Sequence, residues 1–305
     1  MRSTKKKVFS LYLFSLIRTF VAENNYVIPI IMEKTIDLHK IIYSKLGNKA
    51  RLVPIKWFEK FIHLDEINEF LWESRDLKGT DWTEAALKRL NITLKVEGRE
   101  NLPPADTKQA YTFVSNHSLG AADGIGLLYT LGTHFGGAER VGVFANDILT
   151  HLPGLKPFII PINKTGAQDR SLPAVMNGYF SSDKHILLFP AGIVGRKKNG
   201  VVHDLEWSKI FITQSVKNKR DVVPIHFIGE NSPFFYRITR YFDWFLLRKG
   251  AGRLFNFFLL PDEMMKTQGK TYRVVIGKPI PWQTFDKSRK PKEWAQYVSD
   301  IVHKL

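Results

Sequence analysis

A chain of 305 residues, 44% hydrophobic and 24% charged, has the composition of a folded globular protein and is long enough to bury a large α/β core. It contains no cysteine, which excludes disulfides, thiolate catalysis and cysteine-ligated zinc. Its 45 Lys and Arg against 29 Asp and Glu leave a net charge of +16, which calls for an acidic partner. In chain order, the first feature is the apolar block Val8 to Ile17 behind Lys5, Lys6 and Lys7. It falls short of the roughly 18 to 20 apolar residues of a membrane span, and Arg18 comes next with no small-residue cleavage site. Residues 1–31 therefore read as a basic interfacial segment, the alternative being that Met32 is the true start.

Residues 32–91 read as helical. "DLHKIIYSKL" and "KWFEKFIHLDEINEFLWES" carry apolar residues at helical spacing, the second as one amphipathic helix of several turns. "TDWTEAALKRLN" comes next, with Thr80 or Asp81 as N-cap and Asn91 near its end. From residue 92 the texture changes to short apolar or β-branched runs: "ITLKVEG", "YTFVSN", "RVGVFAN", "PFIIPIN", "HILLFPAG" and "VVPIHFIG". Helical stretches lie between them, including "GIGLLYTLGTHF", "RSLPAVMNGYFSS" and "WSKIFITQSVKNK". "TYRVVIGKPI" adds a last strand and "KEWAQYVSDIVHKL" a closing helix. The expected fold is α/β: a mostly parallel sheet with right-handed crossovers, flanked by helices, in a single domain over 92–305 with an N-terminal helical cap.

In such sheets ligands gather at the carboxyl ends of the strands, and the polar punctuation of this chain falls there. In "FVSNHSLGAADGIGLL", residues 113–128, His117 and Asp123 stand between a strand and a helix. A histidine takes protons near neutral pH, and a carboxylate beside it fixes its tautomer and stabilises the imidazolium. Gly120 and the small Ala121 and Ala122 let the loop turn back so that the pair can meet. The competing reading is a buried histidine with a capping aspartate. Asn116 either donates to a developing oxyanion or closes the turn. His226, alternating with Val222 and Pro224, lines the pocket or sits in the core. No metal-ligand spacing, Gly-rich phosphate loop, nucleophile elbow or nucleic-acid signature appears.

"NHSLGAADG", "FIIPINKTG", "LLFPAGIVGR" and "VVPIHFIG" occur in the order and spacing of the four blocks of the glycerolipid and lysophospholipid acyltransferase family, which the chain resembles over about residues 90 to 280. The resemblance implies that His117 is the general base for an acceptor hydroxyl and that Asp123 orients it. It places Asn163 and Lys164 where the second block holds the acceptor's anionic head. Phe189, Pro190, Ala191 and Gly192 fall in the third block, and Pro224, shaping the wall of the site, in the fourth. Five residues separate His117 from Asp123 where the common pattern has four, Ala191 replaces a glutamate, and Arg196 arrives two positions late. Those departures, with "FPAGIVGRKKNGVVHDLEWSKIFI", "RDVVPIHFIGENSPFFYR" and "IHLDEINEFL", look like the hemolysin-like subgroup that O-acylates lyso-aminolipids.

That resemblance implies a fatty acyl thioester of coenzyme A or of an acyl-carrier protein as co-substrate and no cofactor. The acceptor is a lyso-lipid bearing a carboxylate, with Arg196 as the candidate to hold it and Lys197 and Lys198 as a solvated basic loop. Lysophosphatidic acid is the alternative acceptor, and a non-catalytic membrane-binding module the alternative class. The charge distribution suits an anionic surface. Residues 1–60 hold 12 Lys and Arg against 4 Asp and Glu, residues 181–260 hold 13 against 6, and residues 101–180 balance at 5 against 5. The expected location is the cytoplasmic face of the inner membrane, peripheral or N-terminally anchored. "SPFFYRITRYFDWFLLRKGAGRLFNFF", dense in aromatics and arginines, either meets lipid or packs between sheet and cap.

Overall fold

A central sheet is built from the short apolar runs. The computed structural model describes residues 54–162, 172–246 and 252–305, together with 36, 37, 39, 43 and 51. Residues 38–305 form one compact unit, which holds the whole sheet and its helices. Its elements in chain order are α1 (Ile55–Phe61), α2 (Leu64–Glu73), α3 (Thr80–Arg89), β1 (Thr93–Glu97), β2 (Thr112–Ser115), α4 (Ala122–Phe135), β3 (Val141–Asn146), β4 (Ile159–Ile162) and α5 (Leu172–Phe180). The chain continues through β5 (His185–Leu188), β6 (Arg196–Lys198), β7 (Val201–His203), α6 (Ile210–Lys217), β8 (Val222–Ile228), α7 (Pro233–Leu246), α8 (Gly252–Met265), β9 (Thr271–Ile276) and α9 (Pro291–Val302).

Seven strands pair in the order β1-β9-β8-β2-β5-β3-β4. β8, β2, β5, β3 and β4 run parallel. β9 is antiparallel to β8 and parallel to β1, so the last two strands reverse direction together. The sheet is thus α/β and mostly parallel, as the alternation of strand and helix predicted. β2 and β5 are buried at every position because helices cover both faces. On one face Val114, Ile186, Leu188 and Val222 meet α5, α6 and α9 through Phe180, Phe211 and Val298. On the other, α4 lies close enough that a Cβ on Gly126 would stand 3.2 Å from Leu94 and 3.3 Å from Phe227. Phe135 of α4 packs on Phe113 at 5.6 Å.

The helical region departs from its sequence pattern in two places. The amphipathic stretch expected as one helix breaks at His63, whose φ of 53° is left-handed. Asp65 and Glu66 favour a fresh helix N-terminus there, and His63 Nε2 lies 3.2 Å from Asp262 Oδ1 of α8. α3 starts one residue earlier than expected. Its N-cap is Gly79, which stands where Thr80 or Asp81 was expected, at φ 59° and ψ −126°, a conformation open to glycine. "DLHKIIYSKL" lies almost wholly outside the described residues, as do residues 1–31. The aromatic stretch forms α7 and α8. Of its described side chains, Phe235 and Tyr236 are buried with Val194 and Leu259 in a satellite core, while Phe234 is exposed.

Arg220 secures the end of the sheet remote from His117. It is 1% exposed and donates to the main-chain oxygens of Phe180, Tyr111, Ser182 and Lys184 at 2.6 to 3.2 Å. Burial pulls its guanidinium down to about 10, still charged at neutral pH.

Candidate active site

β2 is the middle strand of the trio β8-β2-β5, and the chain leaving its carboxyl end carries the titratable pair. His117 Nδ1 lies 3.0 Å from Asp123 Oδ2. Asp123 sits in the first turn of α4 with its side chain wholly buried, while His117 keeps 16% of its side chain exposed. Gly120, at φ 88°, supplies the reversal that the five-residue spacer needs. Its missing side chain is also used: a Cβ there would come within 2.5 Å of Val194 and 2.6 Å of Leu260.

Burial alone would raise the Asp123 carboxyl. The charge and hydrogen bond of His117 outweigh it, helped by the amides of Leu119 and Gly120, and hold the carboxyl below the ordinary carboxylate range. An ionised carboxylate only accepts, so the neutral ring carries its proton on Nδ1 and presents a bare Nε2 lone pair. Phe189, the first residue after β5, stacks on the ring with centroids 4.2 Å apart and planes at 30°. The imidazole is therefore held by Asp123 at one edge and Phe189 on one face.

The loop is fastened along its length. Asn116 Nδ2 donates to the Phe227 carbonyl at 2.9 Å, and its Oδ1 accepts the Phe227 amide at 2.8 Å. This buried side chain continues the β2–β8 ladder one residue past the strand, so its carboxamide fastens the turn. Ser118 Oγ donates to the same carbonyl. Asn231 Nδ2 lies 3.3 Å from the carbonyls of both Ser118 and Leu119. The main chain of His117 is gripped from both sides: its carbonyl accepts the Gly195 amide at 2.8 Å, and its amide donates to Asp204 Oδ1 at 3.2 Å. Asp204 and Asn231 were not among the sequence candidates. Asp204 falls within "VVHDLEW", beside a second acid, Glu206, and nothing local singles it out.

Phe189 to Gly192, the third-block residues, form a tight turn, closed by Gly192 N–H to the Phe189 carbonyl at 2.9 Å with Gly192 at φ 73°. Pro190 is buried, and Ala191 packs on the core around Trp207. Arg196 opens the β6–β7 hairpin, one residue beyond the amide that holds His117, and its guanidinium donates to the Val194 carbonyl at 2.6 Å. The segment expected as a solvated basic loop is this hairpin, in which Lys197 pairs with Glu230 and Lys198 is exposed. Pro224 lies within β8 opposite Val114, three residues short of His117 in register. It accepts the Gly277 amide where β9 leaves the sheet, a position at which a missing N–H is tolerated. Asn163 and Lys164 lie outside the described residues, after edge strand β4. His226, half-buried, faces His303 with rings 5.8 Å apart, and burial lowers it to about 4, so it is neutral.

A histidine ordered by a buried aspartate, at the carboxyl end of a central parallel strand, marks the candidate active site of an α/β protein. The chain belongs to the acyltransferase family: that family's model matches residues 41–303. It is an acyltransferase. It is 46% identical over 275 residues to the lyso-glycine lipid O-acyltransferase of Bacteroides thetaiotaomicron, covering 88% of this chain and 97% of that one. To the lyso-glycine lipid O-acyltransferase of Phocaeicola vulgatus it is 45% identical, covering 88% and 95%. Among solved structures, the 1-acyl-sn-glycerophosphate acyltransferase PlsC of Thermotoga maritima aligns with a TM-score of 0.45 at 18% identity, covering 100% of this chain and 95% of that one.

Proposed function

We propose that this acyltransferase moves a fatty acyl group from a thioester to the hydroxyl of a lyso-aminolipid, with His117 as general base. The bond between His117 Nδ1 and Asp123 Oδ2 carries the reading, because it leaves Nε2 as the basic nitrogen of a side chain that is 16% exposed. Nε2 takes the proton of the acceptor hydroxyl as its oxygen attacks the thioester carbonyl. Asp123 stabilises the imidazolium that results. Collapse of the tetrahedral adduct expels the thiolate, which takes that proton back, so an ester and a free thiol leave and the histidine is restored. The two relatives named as lyso-glycine lipid O-acyltransferases support a glycine-headed acceptor. Its carboxylate would meet a cation, and Arg196, next in the chain to the Gly195 amide that holds His117, supplies one.

The donor in this proposal is acyl-carrier protein or coenzyme A, and the enzyme works at the cytoplasmic face of an anionic membrane. Support comes from the net charge of +16 and from exposed aromatics: Trp57 is 59% exposed and Phe234 43%. Among the described residues no helix is long and apolar enough to cross a membrane.

The test offers purified protein a labelled long-chain acyl thioester, on either carrier, with lyso-glycine lipid and lysophosphatidic acid as competing acceptors. Label in the diacyl glycine lipid, absent with His117→Ala, is the expected result. Label in phosphatidic acid would overturn the acceptor, and a turning-over His117→Ala the base.

A further inference from the structure

One carboxylate besides Asp123 reaches the base, and general-base catalysis by the His117–Asp123 pair does not use it. Asp204 comes directly after β7, and its side chain is 4% exposed. Oδ1 accepts the main-chain amide of His117 at 3.2 Å. Oδ2 accepts the Trp207 indole N–H at 2.9 Å and lies 4.0 Å from His303 Nε2. The Nδ1 of His303 is 2.8 Å from the Ser299 carbonyl, which can only accept, so Nδ1 carries a proton and Nε2 is the nitrogen turned to Asp204.

A buried carboxylate is a costly way to satisfy one amide and one indole N–H, because a neutral acceptor pair would do the same without losing the hydration of a charge. What the charge adds is a second negative group beside a histidine that becomes cationic during turnover. We propose that Asp204 is a positioning residue for His117: it fixes the main chain of the base and, as a carboxylate within electrostatic reach, stabilises the imidazolium alongside Asp123. This inference rests on His117 being the base. Trp207 anchors the other oxygen and is itself part of the core, so the carboxylate is braced against the core.

Among the described residues, the charged and titratable groups around the pair are few. Asp123 of α4 bonds the ring, and Tyr272 of β9 lies within electrostatic reach of Asp123. His303, after α9, faces Asp204, and His226 of β8 faces His303. Arg196 of β6 bonds the Val194 carbonyl. With Asp204 neutralised, protonated His117 loses a stabilising neighbour, so its proton leaves more easily and the acid limb of activity moves to lower pH.

The experiment is the pH profile of kcat/KM and the split between kcat and KM, for wild type, Asp204→Asn, the double variant Asp204→Asn/Trp207→Phe, and Glu206→Gln. Asparagine keeps an acceptor for the His117 amide. The double variant removes the indole donor that would oppose the new amide, and reads the same limb if the single variant folds poorly. Glu206→Gln removes an exposed charge two residues away that pairs with Lys292. The expected result is an acid limb lowered by about half a pH unit or more in both Asp204 variants. kcat should fall about tenfold at unchanged acceptor KM, with no shift for Glu206→Gln. Lost activity with an unmoved limb reduces Asp204 to a packing residue and overturns the proposal, as does an equal shift with Glu206→Gln. If His117 is not the base, His117→Ala turns over, and that failure is told apart from this one.

Discussion

Asp123 shows how much one side chain can settle. Four donors converge on it: the His117 ring, the Leu119 amide at 2.9 Å, the Gly124 amide at 2.8 Å and the Gly120 amide. Asparagine keeps one carbonyl oxygen but must aim an NH2 group at a donor, which favours the wrong tautomer of His117. Asp123→Asn is therefore expected to lower kcat by about 10³ to 10⁴ with the fold retained. Steady-state rates beside a urea midpoint check it, and a loss below tenfold would return Asp123 to a plain capping role. The pair itself was legible in the sequence, because both partners lie on one loop and a glycine marks its reversal. Asp204 was not, since 87 residues separate it from His117 and no local pattern ties an acid to a distant amide.

The functional unit at the next scale is the segment from β2 through the loop into α4, strapped by β8, the Phe189 turn and the β6–β7 hairpin. The loop can be held this closely because Gly120 has no side chain. Gly120→Ala imposes a left-handed φ on alanine and drives its Cβ into Val194 and Leu260. The expected cost is about 1 to 3 kcal/mol of stability, with a fall in kcat of about tenfold or more as His117 moves. Gly124→Ala is the internal control. It lies in α4 with nothing within 4 Å of a new Cβ, so it should be neutral or stabilise by up to about 1 kcal/mol. Urea midpoints and kcat for both variants decide it, and equal behaviour would show that close packing at Gly120 is unimportant. Most strands and helices were legible from hydrophobic periodicity. The break at His63 and the hairpin from Arg196 to His203 were not: one interrupts an unbroken amphipathic pattern, and the other is too short and too basic to carry a strand signature.

At the scale of the molecule, strand order does what the sequence leaves open. Periodicity identifies β2, β5 and β8 but does not say that they are neighbours, and only that adjacency brings His117, Phe189 and the Phe227 straps together. The same burial has a consequence for acid stability. His185, at the start of β5, is wholly buried among Phe113, Phe135 and Tyr111, and its Nδ1 accepts the Tyr111 amide. Desolvation, with Arg140 and Arg220 adding to it, lowers His185 to about 4, and desolvation does the same to His226. Both histidines are near 6.5 in the unfolded chain. Between those values the unfolded chain binds more protons, so the stabilisation is complete above about pH 6.5 and is lost as pH falls toward 4. For His185 the slope is at most about 1.4 kcal/mol per pH unit, and for the more exposed His226 it is less. Asp123, depressed below its ordinary value, loses its contribution only at lower pH. Asp204, raised by burial, acts in the opposite sense. Urea midpoints from pH 8 to 4.5 should therefore fall on acidification in wild type. The slope should flatten in His185→Asn/His226→Phe, where asparagine Oδ1 still accepts the Tyr111 amide. A wild-type midpoint constant from pH 7 to 5, or a slope unchanged in the double variant, would mean that these histidines do not govern the acid limit of the fold.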